Sequence, residues 1–325
     1  MAGSSKKAIY GAIIANSLIA ISKFIAGSFT ASASMISEGI HSLVDTGNGA
    51  LLLFGIQKSK KPADEQHPYG YGNEVYFWSF VVAVLIFALG GGIALFEGIE
   101  AVLHHYQHQG HAVETEIIVY EKIWHNPKFW NYFVLILAMI FEGTALKVAL
   151  EEFNKTRGSK SFYQELVDSK DTSTAAIVIE DTAALLGLLI ALISVALTDW
   201  TGIIYFDGLG SIMIGILLIC VSLFFATECK DLLIGEGLME DDLKRITDIL
   251  DKDEHVVAYK RPLSLYFGPN EVLVNLDANF KDELNADAIE ATVDRIEKAI
   301  KEAIPAVNRI FIEAENISRN KASDD

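Results

Sequence analysis

Residues Phe206–Thr227, FDGLGSIMIGILLICVSLFFAT, form an apolar stretch that carries one acid and no basic residue. A helix needs roughly 17–25 apolar residues to cross the hydrocarbon core of a bilayer, and this stretch has that length. Five further segments meet the same criterion. The sequence therefore predicts an all-α domain of six transmembrane helices: Ala8–Gly27, Ser34–Ile56, Tyr76–Leu103, Lys128–Glu151, Ser173–Leu197 and Phe206–Thr227.

The apolar character belongs to the first part of the chain. The whole chain is 51% hydrophobic with a mean hydropathy of +0.31, which is high for a soluble protein. From about Glu228 onward the composition is that of an ordinary soluble domain. We therefore expect a transmembrane domain at residues 1–229, a cytoplasmic domain at 230–318 and a disordered tail at 319–325.

Net charge and cysteine positions exclude two classes of protein. The formal net charge is −17, which argues against a nucleic-acid partner because nucleic-acid-binding domains carry basic patches. Cys220 and Cys229 fall on one predicted helix, where the helical rise separates them by roughly 13 Å. That distance is too great for a disulfide within the chain.

The N-terminal segment has some features of a signal peptide, since Lys6 and Lys7 precede an apolar run and Ala31-Ser32-Ala33 follows it. The run is longer than the 7–15 residues typical of a signal-peptide core, so we interpret it as the first membrane helix. An Arg-rich transit peptide is absent from this sequence, and we expect a prokaryotic inner (plasma) membrane.

Basic residues mark the side of the membrane on which each connection lies. They are concentrated at the N-terminus and in alternate connections, which the positive-inside rule assigns to the cytoplasm. With six spans, both termini are then expected to be cytoplasmic. The residues concerned are Lys6, Lys7, Lys58, Lys60, Lys61, Lys155, Arg157, Lys160 and Lys170.

The C-terminal part predicts a small α+β domain of ferredoxin-like type, with the element order αββαβ. Helical periodicity covers two segments, and apolar residues at strand spacing cover three more, with a turn at Gly268-Pro269-Asn270. Such an order suits a small antiparallel sheet with helices on one face. In chain order the elements are Asp241–Leu250, His255–Tyr266, Glu271–Phe280, Asn285–Ala303 and Val307–Ile312.

The second predicted span is unusually polar for a membrane helix. His41 and Asp45 lie four residues apart and therefore share one helix face. An imidazole nitrogen and a carboxylate oxygen at this spacing can bind one cation, and ionisable groups inside a membrane are usually functional. The alternative is a His–Asp hydrogen bond that joins two helices.

The fifth predicted span carries Glu180 and Asp181, and the fourth carries Glu142. Adjacent residues of a regular helix point about 100° apart, so at most one of the first two faces a given neighbour directly. Either could complete a metal site with the second span, and Glu142 could serve as a ligand, a proton carrier or a helix-pairing acid. The alternative for Glu180 and Asp181 is a charge near a helix start that Thr172 or Ser173 caps.

Two motifs carry a resemblance to a known family. Ser34-Met35-Ile36-Ser37-Glu38-Gly39-Ile40-His41-Ser42-Leu43-Val44-Asp45, followed by Asp64 and His67-Pro68-Tyr69-Gly70-Tyr71-Gly72, resembles the cation diffusion facilitator family. Ser161-Phe162-Tyr163 and Glu180-Asp181-Thr182-Ala183-Ala184 resemble the branch that contains the animal mitochondrial zinc transporter. The resemblance covers the whole chain. It implies a homodimer that exports zinc or similar divalent ions in exchange for protons.

The resemblance also implies particular site residues. The family's transport site has two pairs of ligands, each four residues apart, on spans two and five; His41 and Asp45 match the first pair and Asp181 matches one member of the second. The remaining position is Ile177 here, so Glu180, Glu142 or a water would have to substitute. The family's loop site matches at Asp64 and His67, with Tyr71 in place of a third histidine.

Other residues gave weaker signals. His104, His105, His108 and His111 form a tract that could receive released zinc, or an ordinary disordered loop. His255, with Glu313 and Glu315, is better interpreted as a solvated edge than as a metal site. Gly90-Gly91-Gly92 predicts a surface of close helix packing.

The expected function is transport of a divalent cation, with zinc as the transported substrate, by alternating access. Protons compete with metal for imidazole and carboxylate groups, which would give proton antiport. Mixed nitrogen and oxygen ligands favour zinc over calcium or magnesium. Position 177 holds an isoleucine and not a metal ligand, which favours an alternative, a non-transporting membrane metal sensor or scaffold. The sequence contains no His-Glu-x-x-His motif, so an intramembrane metalloprotease is excluded.

Overall fold

A computed structural model describes residues 2–30, 33–107, 127–157, 161–203 and 205–317. The chain divides into two compact units. The first comprises Met1–Ile56 and Phe77–Cys229, and the second comprises Gln57–Tyr76 and Lys230–Asp325. The connection Gln57–Tyr76, called the 57–76 loop below, therefore belongs with the C-terminal residues. The sequence did not predict this assignment.

Long helices make up the first unit. Residues Glu74–Gln107 form one continuous helical segment, because α3 runs into a π-helical turn, Ile86–Gly92, that leads directly into α4. The helices of the chain's membrane part are α1 (Ala2–Thr30), α2 (Ala33–Lys58), α3 (Glu74–Leu85), α4 (Ile93–Gln107), α5 (Pro127–Arg157), α6 (Phe162–Asp168), α7 (Thr172–Thr201) and α8 (Tyr205–Ile234).

Among the described residues, four helical segments are long and apolar enough to cross a membrane: Glu74–Leu103, Tyr132–Lys155, Thr172–Thr201 and Tyr205–Ile234. They confirm that the third to sixth predicted spans are apolar helices of sufficient length to cross a membrane. In α1 only a shorter apolar stretch, Ile9–Ser22, is found, and α2 does not meet the criterion. The count of six transmembrane helices therefore stays a prediction.

Glycines allow the helices of the first unit to approach closely. A Cβ added at Gly91 would lie 2.7 Å from the Ile219 side chain of α8, and one added at Gly98 would lie 2.7 Å from the backbone nitrogen of Ile212. Small residues permit such contact between backbones. The prediction of close helix packing at Gly90-Gly91-Gly92 is confirmed at Gly91. On the other side of the unit, α5 packs against α1 and α7.

The second unit has a four-stranded mixed sheet. Strand β3 (Glu271–Phe280) pairs antiparallel with β1 (Val256–Tyr259) and β2 (Leu263–Gly268), and parallel with β4 (Val307–Ala314). The register places β1 and β2 along the same edge of β3, with β4 on the other edge. The parallel pairing follows from the crossover helix α10 (Ala286–Ala303) between β3 and β4.

Helices α9 (Glu240–Lys252) and α10 cover one face of this sheet. Alternate β3 side chains, such as Val274 and Leu276, are fully buried together with Ile296 and Ile300 of α10. The predicted order of helices and strands is confirmed, except that the predicted strand His255–Tyr266 is two strands. The break falls at 260–262, where Pro262 has no N–H for the ladder. The ferredoxin-like assignment stays a prediction.

The 57–76 loop packs against the same sheet within the second unit. The ring of Tyr69 stacks on Phe267 of β2 with centroids 4.9 Å apart, and Arg309 of β4 donates from Nη1 to the Pro68 carbonyl oxygen at 3.3 Å. A Cβ added at Gly72 would overlap the Phe267 carbonyl oxygen. Glycine is therefore required at position 72 for this approach of the two backbones.

Candidate metal site

Two predicted site residues, Asp45 of α2 and Glu180 of α7, line one small cavity in the first unit. Its volume is about 30 Å³. A cavity needs roughly 10–15 Å³ to admit a water, so this one can hold a single cation or one or two waters. The other lining residues are Val44, Asn48, Leu85, Ile86, Gly90, Ala183, Ala184, Leu218 and Val221.

Asn48 connects the two helices at this cavity. Its Nδ2 donates to Oε1 of Glu180 at 2.9 Å, and its side chain is 1% exposed. The amide oxygen of Asn48 is buried and has no hydrogen-bond partner among the described residues. Asn48 therefore orients Glu180 and offers a third oxygen at the cavity. Sequence reasoning missed this role, although Asn48 follows Asp45 by three residues and so shares its helix face.

Asp181 and Glu142 do not line the cavity but lie next to it. Asp181 is 2% exposed and Glu142 of α5 is 6% exposed. The carboxylates of Asp45, Asp181 and Glu142 all interact electrostatically with Glu180. Asp181 Oδ2 is buried without a hydrogen-bond partner among the described residues. Four acids are thus concentrated where α2, α5 and α7 meet, and such a group needs cations or protons to balance its charge.

The other member of the predicted α2 pair, His41, lies one turn before Asp45, and its side chain is outside what the structure describes. Ile177, at the position of the missing ligand, is 1% exposed and belongs to the apolar core. In the described part of the chain, no group of three His, Cys, Asp or Glu side chains is arranged to hold a metal ion. The four-ligand site that the resemblance implies is therefore still a prediction.

The residue that caps the N-terminus of α7 is not one of the two expected from the sequence. Asp171 is the N-cap, and its carboxylate accepts from the Thr174 backbone nitrogen at 3.2 Å. Thr172 bonds instead to Ser79 of α3, oxygen to oxygen, at 2.9 Å. The alternative in which Thr172 or Ser173 caps this helix is wrong, because the Asp171 side chain, one residue earlier, accepts the free N–H.

In the predicted loop site, a lysine bonds to the carboxylate that was expected to bind metal. Lys61 Nζ donates to Asp64 Oδ2 at 2.8 Å and to the Tyr71 hydroxyl at 2.6 Å, and Tyr71 donates to the same Asp64 oxygen at 2.7 Å. These bonds, with one from the His67 backbone, lower the pKa of Asp64 well below its usual range. The rings of His67 and Tyr71 pack at a tilt of 34°, with centroids 4.3 Å apart. An internal cation thus already balances the Asp64 charge.

The remaining histidine predictions differ in how much the structure describes. His255 Nδ1 lies 2.7 Å from Thr292 Oγ1, and Glu315 accepts from Lys260 at 2.6 Å. His255 is thus partly buried against Thr292, and the interpretation of this edge as solvated stays a prediction. In the His104–His111 tract, the side chains of His104 and His105, and the whole of His108 and His111, lie outside the described residues.

Comparison with known families identifies the chain. Residues 9–234 match the family model described as the cation efflux transmembrane domain. The chain belongs to the cation diffusion facilitator family. The match covers the cavity residues and the 57–76 loop of this cation diffusion facilitator. Members of the family are cation transporters.

Relatives of this cation diffusion facilitator carry names that specify different metals. "Proton-coupled zinc antiporter SLC30A9, mitochondrial" from Homo sapiens is 32% identical over 346 residues, covering 94% of this chain and 58% of the human protein. "Metal tolerance protein C4" from Arabidopsis thaliana is 25% identical, covering 96% of this chain and 74% of the relative. "Manganese efflux system protein MneP" from Bacillus subtilis is 23% identical, covering 72% and 70%.

The chain thus spans little more than half the length of the human relative. That relative's name places it in mitochondria. A prokaryotic plasma membrane and cytoplasmic termini for the present facilitator remain predictions.

Proposed function

We propose that this chain carries a divalent metal cation across the membrane, and that it exports zinc from the cytoplasm in exchange for protons by alternating access. The supporting observation is the small cavity at which Asp45 and Glu180, from two different helices, meet with Asn48 between them. An ionised carboxylate inside a membrane domain is costly unless a cation or proton neutralises it. A passing dication would do so.

The exchange of metal for protons is proposed because both ions bind the same ligand atoms. Metal binding requires ionised carboxylates and a neutral imidazole, so protons and metal compete for one set of ligands. The buried acids Asp181 and Glu142 interact electrostatically with each other and with Glu180, so we propose that they take up or release protons as the cation leaves or enters. A proton gradient would then drive cation release on the side with the lower pH.

The ligands proposed for this cycle are Asp45, Glu180 and His41, with the Asn48 oxygen as a fourth donor. Position 177, a ligand position in the family, holds isoleucine here, and we propose that Glu180 supplies the missing ligand. Glu180 lines the cavity, whereas Asp181 does not. The imidazole of His41 would favour zinc, whereas a site of oxygens alone suits manganese or magnesium. The contribution of His41 is therefore expected to decide the choice of metal.

Flux into liposomes tests the proposal. The purified chain is reconstituted with a zinc-sensitive dye and an imposed pH gradient, and the same assay is repeated with manganese. We expect Asp45→Ala and Glu180→Ala to abolish flux, and His41→Ala to reduce zinc flux more than manganese flux. Glu151→Ala removes an exposed acid near the end of α5 and serves as the matched control. Normal transport by Asp45→Ala would refute the site.

Comparing the flux of Asp181→Ala with that of Glu180→Ala shows which acid of α7 binds the cation. If Glu180 is the ligand, Glu180→Ala should be the more damaging substitution. If Asp181→Ala alone abolishes flux, the assignment of the ligand to Glu180 is wrong and the match to the family pattern is the better guide. If both are silent, α7 does not coordinate the ion.

A second function, metal sensing or scaffolding without transport, is supported by the apolar residue at Ile177. Such a protein would bind zinc at the cavity without moving it. Zinc binding in detergent, measured alongside a lack of flux in liposomes, would favour the sensor. We further propose that the functional form is a homodimer, which the mass of the detergent-solubilised protein, measured by light scattering, tests directly.

A further inference from the structure

The second unit contains a polar cavity of about 210 Å³ that the proposed transport cycle does not use. It lies between the 57–76 loop and strands β2, β3 and β4. At roughly 30 Å³ per water molecule, it holds about seven waters. That is enough room for a small ligand or a lipid headgroup, and less than the volume of a typical drug-sized pocket.

Positive charge predominates in the lining of this cavity. Lys60, Lys61 and Arg309 contribute three cations, and Glu271 is the one acid among the described lining residues. The chain as a whole has 26 Lys and Arg against 43 Asp and Glu. The cavity is therefore positively charged in a protein that is negatively charged overall, and it attracts anions locally.

Two of the three cations are available to a ligand. Lys61 is held by Asp64 and Tyr71, as described above. Lys60 has no side-chain hydrogen bond or ion pair in the described part of the chain, and it is exposed. The guanidinium of Arg309 lies 4.9 Å from the Tyr69 ring centroid, and its one hydrogen bond to a described residue is to the Pro68 carbonyl oxygen. The loop therefore orients Arg309 and leaves its other N–H groups open.

Glu271 limits the charge of the ligand that can enter. Burial raises the pKa of its carboxyl, and the charge of Arg309 partly offsets this effect. With Glu271 ionised, the cations exceed the acid, and the neutral side chain of Asn308 adds hydrogen-bonding groups at the lining. A guanidinium fork and an ammonium group together suit the tetrahedral oxygens of a phosphate.

We propose that this cavity binds an anion that bears a phosphate group, held between Lys60 and Arg309. Two sources have this chemistry, a soluble phosphate ester and a phospholipid headgroup. A headgroup is considered because the first lining residue, Ser59, directly follows the end of α2 at Lys58 along the chain. The site is separate from the cation cavity, so its failure would not affect the transport proposal.

Two probes of the full-length protein distinguish the sources. Glycerol 3-phosphate is titrated calorimetrically into the protein in detergent. In parallel, the protein is placed in phosphatidylcholine nanodiscs with or without phosphatidylglycerol, and the anionic lipid it retains on extraction is counted by native mass spectrometry. Lys298→Gln is the matched control, because Lys298 is an exposed lysine on α10, the helix that packs on the other face of the sheet.

We expect Lys60→Gln and Arg309→Gln each to weaken binding about tenfold or more, with Lys298→Gln equal to wild type. Glu271→Gln should bind more tightly, a gain that misfolding cannot produce. Binding of glycerol 3-phosphate identifies a soluble ester, and retention of phosphatidylglycerol alone identifies a headgroup. Failure of both probes to bind, or equal binding by wild type, Lys60→Gln and Arg309→Gln, would overturn the proposal.

Discussion

Replacing Asn48 with alanine tests the geometry of the cation cavity more finely than removal of an acid. The substitution deletes the 2.9 Å bond from Asn48 Nδ2 to Glu180 Oε1 and the buried amide oxygen beside it. A hydrogen bond to a charged group contributes about 1.5–3 kcal/mol, and each 1.4 kcal/mol is a factor of ten. We therefore expect a loss of roughly 10–100-fold in apparent metal affinity, the range typical of groups that orient metal ligands.

The assay is initial zinc flux into liposomes at several zinc concentrations. Thr46→Ala is the control. Thr46 lies on the same helix and does not line the cavity, and its hydroxyl donates to the carbonyl oxygen of Ser42 at 3.0 Å, its one side-chain bond among the described residues. This variant should transport like wild type. Because Asn48 acts partly through Glu180, combining Asn48→Ala with Glu180→Gln should cost less than the product of the two separate effects. Wild-type affinity in Asn48→Ala, or strictly multiplicative losses, would refute this reasoning.

Three further predictions concern the second unit. Gly72→Ala should push the 57–76 loop off the sheet, because the new Cβ overlaps the Phe267 carbonyl oxygen; hydrogen exchange should show the free energy of loop opening lowered by about 1–3 kcal/mol, and unchanged exchange would contradict the contact. Glu271→Gln should raise the unfolding temperature at neutral pH and not below about pH 4, because burial raises the pKa of Glu271 and its ionised form is the destabilising one. Lys61→Ala should weaken protection of the loop more in low salt than in high salt, because salt screens the exposed Lys61–Asp64 ion pair. An equal effect at both salt concentrations would exclude the ion pair as the cause.

Much of the fold could be predicted because it follows from local pattern. Long apolar runs predicted the membrane helices, and alternation with turn residues predicted the helices and strands of the second unit. The π-helical turn at Ile86–Gly92 gave no signal, because it depends on packing and not on composition. Likewise, nothing in the composition of the 57–76 loop indicates that it packs on a sheet whose strands lie some two hundred residues further along the chain.

The sequence identified acids that lie close together, but it did not give their arrangement around the cavity, and their role as metal ligands stays a prediction. The four-residue spacing and the cost of buried charge directed attention to Asp45, Glu180, Asp181 and Glu142, which do lie close together. Glu180 and Asp181 point about 100° apart on a regular helix, so only one should face the cavity, but periodicity could not tell which one because it does not give the rotation of α7 relative to α2. Asn48 was overlooked because an uncharged amide is a weak signal on its own, and its importance comes from its contact with Glu180.

The membership of the 57–76 loop in the second unit has a practical consequence for protein engineering. A chain cut at Lys230 loses β2, β3 and β4, and with them the surfaces that Tyr69 and Gly72 contact. In the shortened protein the 57–76 loop would remain without the sheet that it packs on. Any defect would therefore combine the loss of the C-terminal domain with the disordering of this loop. A clean separation requires a redesigned link between α2 and α3 as well.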